Sequence, residues 1–345
     1  MEKYLREDIK KLRAYEVNQV DFDVKLDANE GFDWLDGNNR YPDDYCSELR
    51  EKLATKLGKH KDEILFGNGS SELIELVMKA YLESGESVLS FTPSFSMYRL
   101  YTIINKGVYE EFPLKDMSYL DVDGFIDSIK EIKPKIVIIC NPNNPTGSVI
   151  SKEDILKIVQ ATDGMVILDE AYIEFSDMEI QDDTREYKNL IVLRTFSKAY
   201  ALAGIRLGYM IGHSEIIDYI NRVRSPYNIN SYSQSLGIKA LENEDLILKS
   251  IEITKLERAR VQAELENLGL KVYPSSANFI FFKGCKNLYL DLVNKKVLIR
   301  NFAGDLEGYY RITIGRWPEN NLALEAIKEV VRSETGKNQE KYLRD

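Results

Sequence analysis

Two hydrophobic patterns of different length alternate along the chain. Short, uniformly apolar runs end in turn residues: SVLSFTP (87–93), KIVIIC (135–140), MVILD (165–169), LIVLRTF (190–196) and IRLGYMIG (205–212). They are too short for most helices and lack the alternation of a half-exposed strand. That combination predicts strands buried on both faces of a parallel or mixed sheet. Between them lie stretches with helical spacing, such as SELIELVMKAYLES (71–84) and SKEDILKIVQAT (151–162). The second opens on Ser151 with Asp154 three residues on, close to a capping box. Strands alternating with helices predict an α/β domain over roughly 45–230.

The remainder follows a different pattern. Residues 241–268 are charge-rich with helical spacing, KVYPSSANFIFFK, KKVLIRNF and YYRITIG look like strands, and ENNLALEAIKEVVRS is an amphipathic helix. The expected division is an N-terminal segment 1–40 joining a small domain, a large domain 41–240, a small C-terminal α+β domain 241–335, and a polar tail 336–345 expected to be disordered. No internal repeat or low-complexity tract interrupts the pattern.

Composition narrows the function classes. A chain of 345 residues is long enough for a large core and two lobes, and 44% apolar with 30% charged residues is ordinary for a soluble globular protein. The net charge of −10 argues against nucleic acid or an anionic membrane as the main partner. Cys46, Cys140 and Cys285 are odd in number and none lies at metal-ligand spacing, so they are expected to be reduced thiols. The start, MEKYLREDIKKLR, is charged from residue 2 and lacks the apolar stretch of a signal peptide. No run approaches the ~20 apolar residues of a membrane span. The expected location is the cytoplasm.

Several common chemistries are excluded. His60 and His213 are the two histidines, and neither has a metal-like neighbour or a G-x-S-x-G partner. GNGSSE (67–72) has Glu72 where a dinucleotide fingerprint needs its third glycine, and no Walker A sequence is present.

What remains is a polar cluster after each predicted buried strand, on the sheet edge where open α/β sheets bind ligands. GNGSSE precedes a helix, so Ser70 and Ser71 can offer backbone N–H groups to a phosphate. FTPSF exposes Phe95, NPNNPTG (141–147) follows KIVIIC, DEAY (169–172) follows MVIL, and Ser197–Lys198 follows LIVLRTF. Singly, each has an ordinary reading: NPNNPTG as a turn, Asp169 as a helix cap, Lys198 as a solvated strand end. Five on one edge point together to a ligand site.

In the order GNGSSE, PSFSMY, NPNNPTG, DEAY, SKAYALAGIRLGY, ANFIFF and YRITIG, over about residues 10 to 330, the chain resembles the fold-type I pyridoxal-phosphate aminotransferases, and within them is most similar to those acting on histidinol phosphate. The resemblance implies a large domain with a mostly parallel seven-stranded sheet flanked by helices, and a smaller α+β domain. It implies that Lys198 carries the cofactor as a Schiff base, is displaced by the substrate amine and moves a proton from Cα to C4′. A partly desolvated amine suits that task, which would explain the small and apolar residues around it. Ser197, Arg206 and the Ser70–Ser71 amides would hold the cofactor phosphate, Arg206 as a buried cation paired with a fixed dianion. Asp169 would keep the pyridinium nitrogen protonated, Asn144 and Tyr172 would bond the ring oxygen, and Phe95 would stack on the ring.

Substrate contacts are implied for Arg311 on a carboxylate, Arg300 on a phosphate, and Tyr15 and Asn29 near the N-terminus. Tyr41 would reach the cofactor phosphate of a neighbouring subunit, which implies a homodimer with shared sites. LDANEGFDW lacks the proline and glycine of the N-E-N-P-x-G pattern, AY stands for PY at residue 15, and Arg316–Trp317 precede Pro318 close to the expected pocket. The implied reaction is amino exchange between histidinol phosphate and 2-oxoglutarate, ping-pong through pyridoxamine phosphate. Transamination of aromatic or other amino acids and decarboxylation of a phosphoserine- or phosphothreonine-type substrate keep the same cofactor residues and stay open.

Overall fold

The computed structural model describes residues 1–15, 17, 22–35, 37–178 and 183–342, with 335–342 as backbone only. Seven strands form the large sheet: β1 Ile64–Asn68, β2 Ser87–Thr92, β3 Val108–Pro113, β4 Ile136–Cys140, β5 Met165–Asp169, β6 Leu190–Thr195 and β7 Leu207–Ile211. Their order is β1-β7-β6-β5-β4-β2-β3. All run the same way except β7, which is antiparallel to both β6 and β1. Every residue of β4, β5, β6 and β7 is buried, as the unbroken apolar runs require of strands covered on both faces. The helices that cover them are amphipathic: Ser70–Tyr81 buries Leu73, Ile74, Val77 and Tyr81. Ser151 caps the helix Lys152–Gln160 by accepting the Asp154 N–H at 3.2 Å.

A second sheet, order β10-β11-β9-β8, is antiparallel throughout: β8 Lys271–Tyr273, β9 Phe279–Lys283, β10 Arg300–Asn301 and β11 Tyr309–Thr313. It carries its own apolar core, in which Ile280, Phe282, Leu288, Tyr310 and Ile327 pack together.

Three expectations need correction. The run 205–212 does not begin as a strand: Ile205 and Arg206 belong to a one-turn bend, and β7 starts at Leu207. The charged stretch 241–268 is helical as expected, with a break near its start. Helices Ser231–Glu242 and Glu244–Asn267 meet at Asn243, whose side chain donates to the Lys239 carbonyl at 2.7 Å and takes the chain out of helical geometry. KKVLIRNF supplies only the two residues of β10. The tail is not disordered over its whole length, since the last helix runs Trp317–Tyr342; its Glu, Lys and Gln favour helix and no proline stops it.

Candidate functional site

The carboxyl ends of β1, β2, β4, β5 and β6 open on one edge of the large sheet. Because β7 is reversed, its amino end, and with it Arg206, joins them. Opposite stand Arg300, Phe302, Leu306 and Arg311 from the small sheet. Between the two lies a cleft of about 510 Å³, lined also by Ser70, Ser71, Phe95, Asn144, Asp169, Tyr172, Ser197 and Lys198. The folding of the chain thus brings eleven expected side chains onto one space, which no single motif could establish.

One end of the cleft is built for an anion. The helix Ser70–Tyr81 has no side-chain cap at its N-terminus, so its first N–H groups remain available. Its preceding residue, Gly69, has φ +75°, and a Cβ there would stand 2.4 Å from Arg206 Nη2. The guanidinium therefore lies directly over the glycine. Gly208 packs as closely: its Cβ would stand 2.4 Å from the Ser70 nitrogen, so the β1 loop rests on the backbone of β7. Glu72, which breaks the dinucleotide fingerprint, accepts the Asn68 N–H at 2.5 Å and an Asn228 amide hydrogen at 2.8 Å, fixing the loop. Arg206 itself is exposed, contrary to the expectation of a buried cation. The small residues that suggested core, Ala201, Ala203 and Gly204, form an open turn at the rim.

The other end is built for a polarised ring. Asp169, at the end of β5, is 4% exposed. Its Oδ2 accepts the Tyr98 hydroxyl at 2.7 Å and its Oδ1 the Ala171 N–H at 3.1 Å. Burial pushes its carboxyl above the usual range, opposed by those two hydrogen bonds and by Lys198. Lys198 is half-buried with its Nζ 5.4 Å from the centre of the Tyr172 ring. Burial lowers its pKa, helped by the positive charges of Arg311 and Arg206 and resisted by Asp169. The Tyr172 ring stands edge-on to Phe279 at 5.1 Å, and burial raises its hydroxyl pKa.

On the small-sheet side, Arg300 and Arg311 face each other across the β10–β11 pairing. Arg311 donates to the Asn144 side-chain oxygen, its guanidinium lies 5.1 Å from the centre of the Phe279 ring, and its Nε is buried without a partner. Neither arginine has a carboxylate partner among the described residues.

Tyr15, Asn29 and Tyr41 lie outside this cleft. The segment that carries them is tied to its own surface: Arg40 pairs with Glu30 at 2.5 Å, and Tyr41 stacks on Tyr227 at 4.6 Å. Arg316 and Trp317 also stay outside it, with Arg316 paired to Glu319 at 3.3 Å and Trp317 60% exposed. Sequence reasoning missed Tyr98, Phe302 and Leu306. Tyr98 lies one helical turn beyond Phe95, and Phe302 two residues beyond Arg300, so periodicity alone could have flagged both.

A profile for aminotransferase class I and II matches residues 14–327. The chain is 41% identical over 350 aligned positions to histidinol-phosphate aminotransferase of Thermoanaerobacter sp. (strain X514), covering 96% of this chain and 99% of that one. Among solved structures it resembles histidinol-phosphate aminotransferase from Clostridium acetobutylicum, with TM-score 0.78, 30% identity and coverage of 86% of this chain and 92% of that one. It also resembles the enzyme of that name from Sinorhizobium meliloti in complex with pyridoxal-5′-phosphate, with TM-score 0.81, 25% identity and coverage of 86% and 84%.

Proposed function

The chain belongs to the class I and II aminotransferases and is a pyridoxal-phosphate-dependent transaminase, and on that premise we propose that it moves the amino group of histidinol phosphate to 2-oxoglutarate, yielding imidazole acetol phosphate and glutamate. The observation that carries the substrate reading is the pair Arg300–Arg311: two facing cations without carboxylate partners among the described residues, one with a buried Nε that has no partner among them. A donor with a phosphate and an acceptor with carboxylates each bring an anion that such a pair can receive in turn.

The residues present fit the cofactor. Arg206 over Gly69, the uncapped helix and Ser197 suit its phosphate, and buried Asp169 suits its ring nitrogen. When bound, pyridoxal phosphate supplies an electron sink for the bond broken at the substrate's Cα. The protein's part is positioning and proton transfer. Lys198 would hold the cofactor and, once freed by the substrate amine, would serve as the general base and acid for the substrate's Cα proton. Asp169 would hold the ring nitrogen, Asn144 and Tyr172 would hold the ring oxygen, and Phe95 would cover the ring face. Arg311 takes the carboxylate of glutamate or 2-oxoglutarate, and Arg300 with the apolar wall of Phe302 and Leu306 takes the phosphate-bearing donor.

The working unit in this reading is a cytoplasmic homodimer. Phe32 and Trp34, 97% and 86% exposed in the same N-terminal segment as Tyr41, are large apolar side chains that a second copy would cover, bringing that segment toward its neighbour's cleft. The deciding experiment is a single turnover. Protein loaded with pyridoxal phosphate is mixed with histidinol phosphate and no keto acid. Rapid conversion of the cofactor to its aminated form, and slow conversion with phenylalanine, supports the assignment. Release of CO₂ from phosphothreonine, with the starting spectrum restored, would replace it with a decarboxylase.

A further inference from the structure

Tyr98 has no part in the reading above, yet it touches two of its components from different elements. It is fully buried in the helix Met97–Ile104, where a polar hydroxyl costs free energy unless it is bonded. Its hydroxyl donates to Asp169 Oδ2 at 2.7 Å. Its ring stands edge-on to Phe95, with centroids 5.5 Å apart and planes at 85°. The backbone holds it in place: its N–H donates to the Phe95 carbonyl at 3.1 Å, and its own carbonyl accepts the buried Thr102 hydroxyl at 2.8 Å. The geometry points to Tyr98 as a positioning residue that braces the ring-stacking Phe95 and, through its hydroxyl, keeps Asp169 ionised and aimed at the cofactor's ring nitrogen.

The physical reason lies in how one proton is shared. A carboxylate in so dry a place tends to take up a proton, and a protonated ring nitrogen held against it would share its own. Each donor on the carboxylate favours its ionised form. Ala171 supplies one through the backbone, which substitution at that residue leaves in place. Tyr98 supplies the other through a side chain, so it can be removed without touching the carboxylate. Without it the shared proton moves toward Asp169 and the ring loses part of its pull on electrons.

This inference rests on the assignment of Asp169 to the ring nitrogen, and the test separates the two. The protein is loaded with pyridoxal phosphate ¹⁵N-labelled at the ring, and the nitrogen shift is read in wild type, Asp169→Ala and Tyr98→Phe. A protonated-ring shift in wild type that is lost in Asp169→Ala upholds the assignment; equal shifts in those two sink it. Tyr98→Phe keeps the ring beside Phe95 and deletes only the hydroxyl. Its nitrogen is expected to shift toward the neutral-ring value, with kcat down about tenfold and little change in KM. A wild-type shift in Tyr98→Phe, with Asp169→Ala altered, overturns the inference alone. Wild type supplies a second measurement that no folding failure can remove. The Tyr98 hydroxyl proton resonance is expected to move when the cofactor is exchanged for its 1-deaza analogue, and an unmoved resonance also overturns the inference.

Discussion

Arg311, in the interior of the small sheet, donates through Nη1 to the side-chain oxygen of Asn144 in the loop after β4. The two sheets are thus joined by a hydrogen bond inside the cleft, between a residue assigned to substrate and one assigned to cofactor. Arg311→Ala is expected to raise KM for 2-oxoglutarate and for glutamate by about 100-fold, since it removes a charge-assisted contact. Steady-state kinetics with each substrate would show it. Unchanged KM values would remove Arg311 from carboxylate binding.

The amine of Lys198 is expected to be neutral at lower pH than an ordinary lysine, whose pKa is about 10.4. Burial disfavours its charged form, and Arg311 and Arg206 add repulsion. In the apo-protein the rate of covalent uptake of pyridoxal phosphate should therefore rise with pH and level off below the ordinary lysine range. Arg311→Ala removes a positive neighbour, so it should move that rise to higher pH. A rise centred at the free-lysine value in both proteins would contradict the desolvation account. Lys198→Ala should lose the covalent attachment and at least about 10²-fold in turnover, the share of a general base.

Gly69→Ala is expected to weaken cofactor binding by about 10-fold or more while the chain still folds. The new methyl group meets Arg206 Nη2 at 2.4 Å, and φ +75° is unfavourable for alanine. The guanidinium must leave the helix N-terminus, taking one side of the phosphate cradle with it. Titration of apo-protein with pyridoxal phosphate measures the change, and an unaltered dissociation constant would place the phosphate elsewhere.

Away from the cleft, Glu63 accepts two hydrogen bonds from Arg185 at 2.7 Å and the His60 N–H at 2.6 Å. The Arg185 guanidinium and those bonds pull its pKa from the usual 4.5 down to about 2. A depressed carboxyl stabilises the fold above the unfolded-state value, and the contribution is lost as pH falls through about 2. Glu63→Gln should therefore cost about 1 kcal/mol at pH 7, less than full linkage because Arg185 is largely exposed. The difference in urea midpoint between variant and wild type should shrink as the pH drops toward that value. A constant difference would assign the effect to packing.

The cofactor side of the site was legible in the sequence because its residues follow runs such as IVIIC and MVILD, whose unbroken apolarity fixes both the strand and its end. Asp169 and Lys198 could be placed on one edge from that pattern alone. Strands β1 and β3 were not marked, since the apolar run of ILFGN is only the three residues Ile64–Phe66, and VYEEFP is an edge strand with only partial burial. Arg206 lines the cleft but is exposed, where its surroundings suggested core: small residues look alike whether they fill a core or line an open turn. The substrate side was less legible. Tyr15, Asn29 and Tyr41 precede the large sheet, where no strand pattern anchors them, and Phe302 sits beside a strand of only two residues.

The one reversed strand has a further consequence. β6 and β7 are paired through Thr195 and Gly208, so Lys198 and Arg206 hang from the two arms of a single hairpin. The gap between the Lys198 amine and the Arg206 guanidinium is set there as by a caliper. Arg300, Phe302 and Arg311 hang from the other sheet. Substitutions on that side can reshape one wall of the cleft and leave the β6–β7 pairing, and the span it sets, as they are.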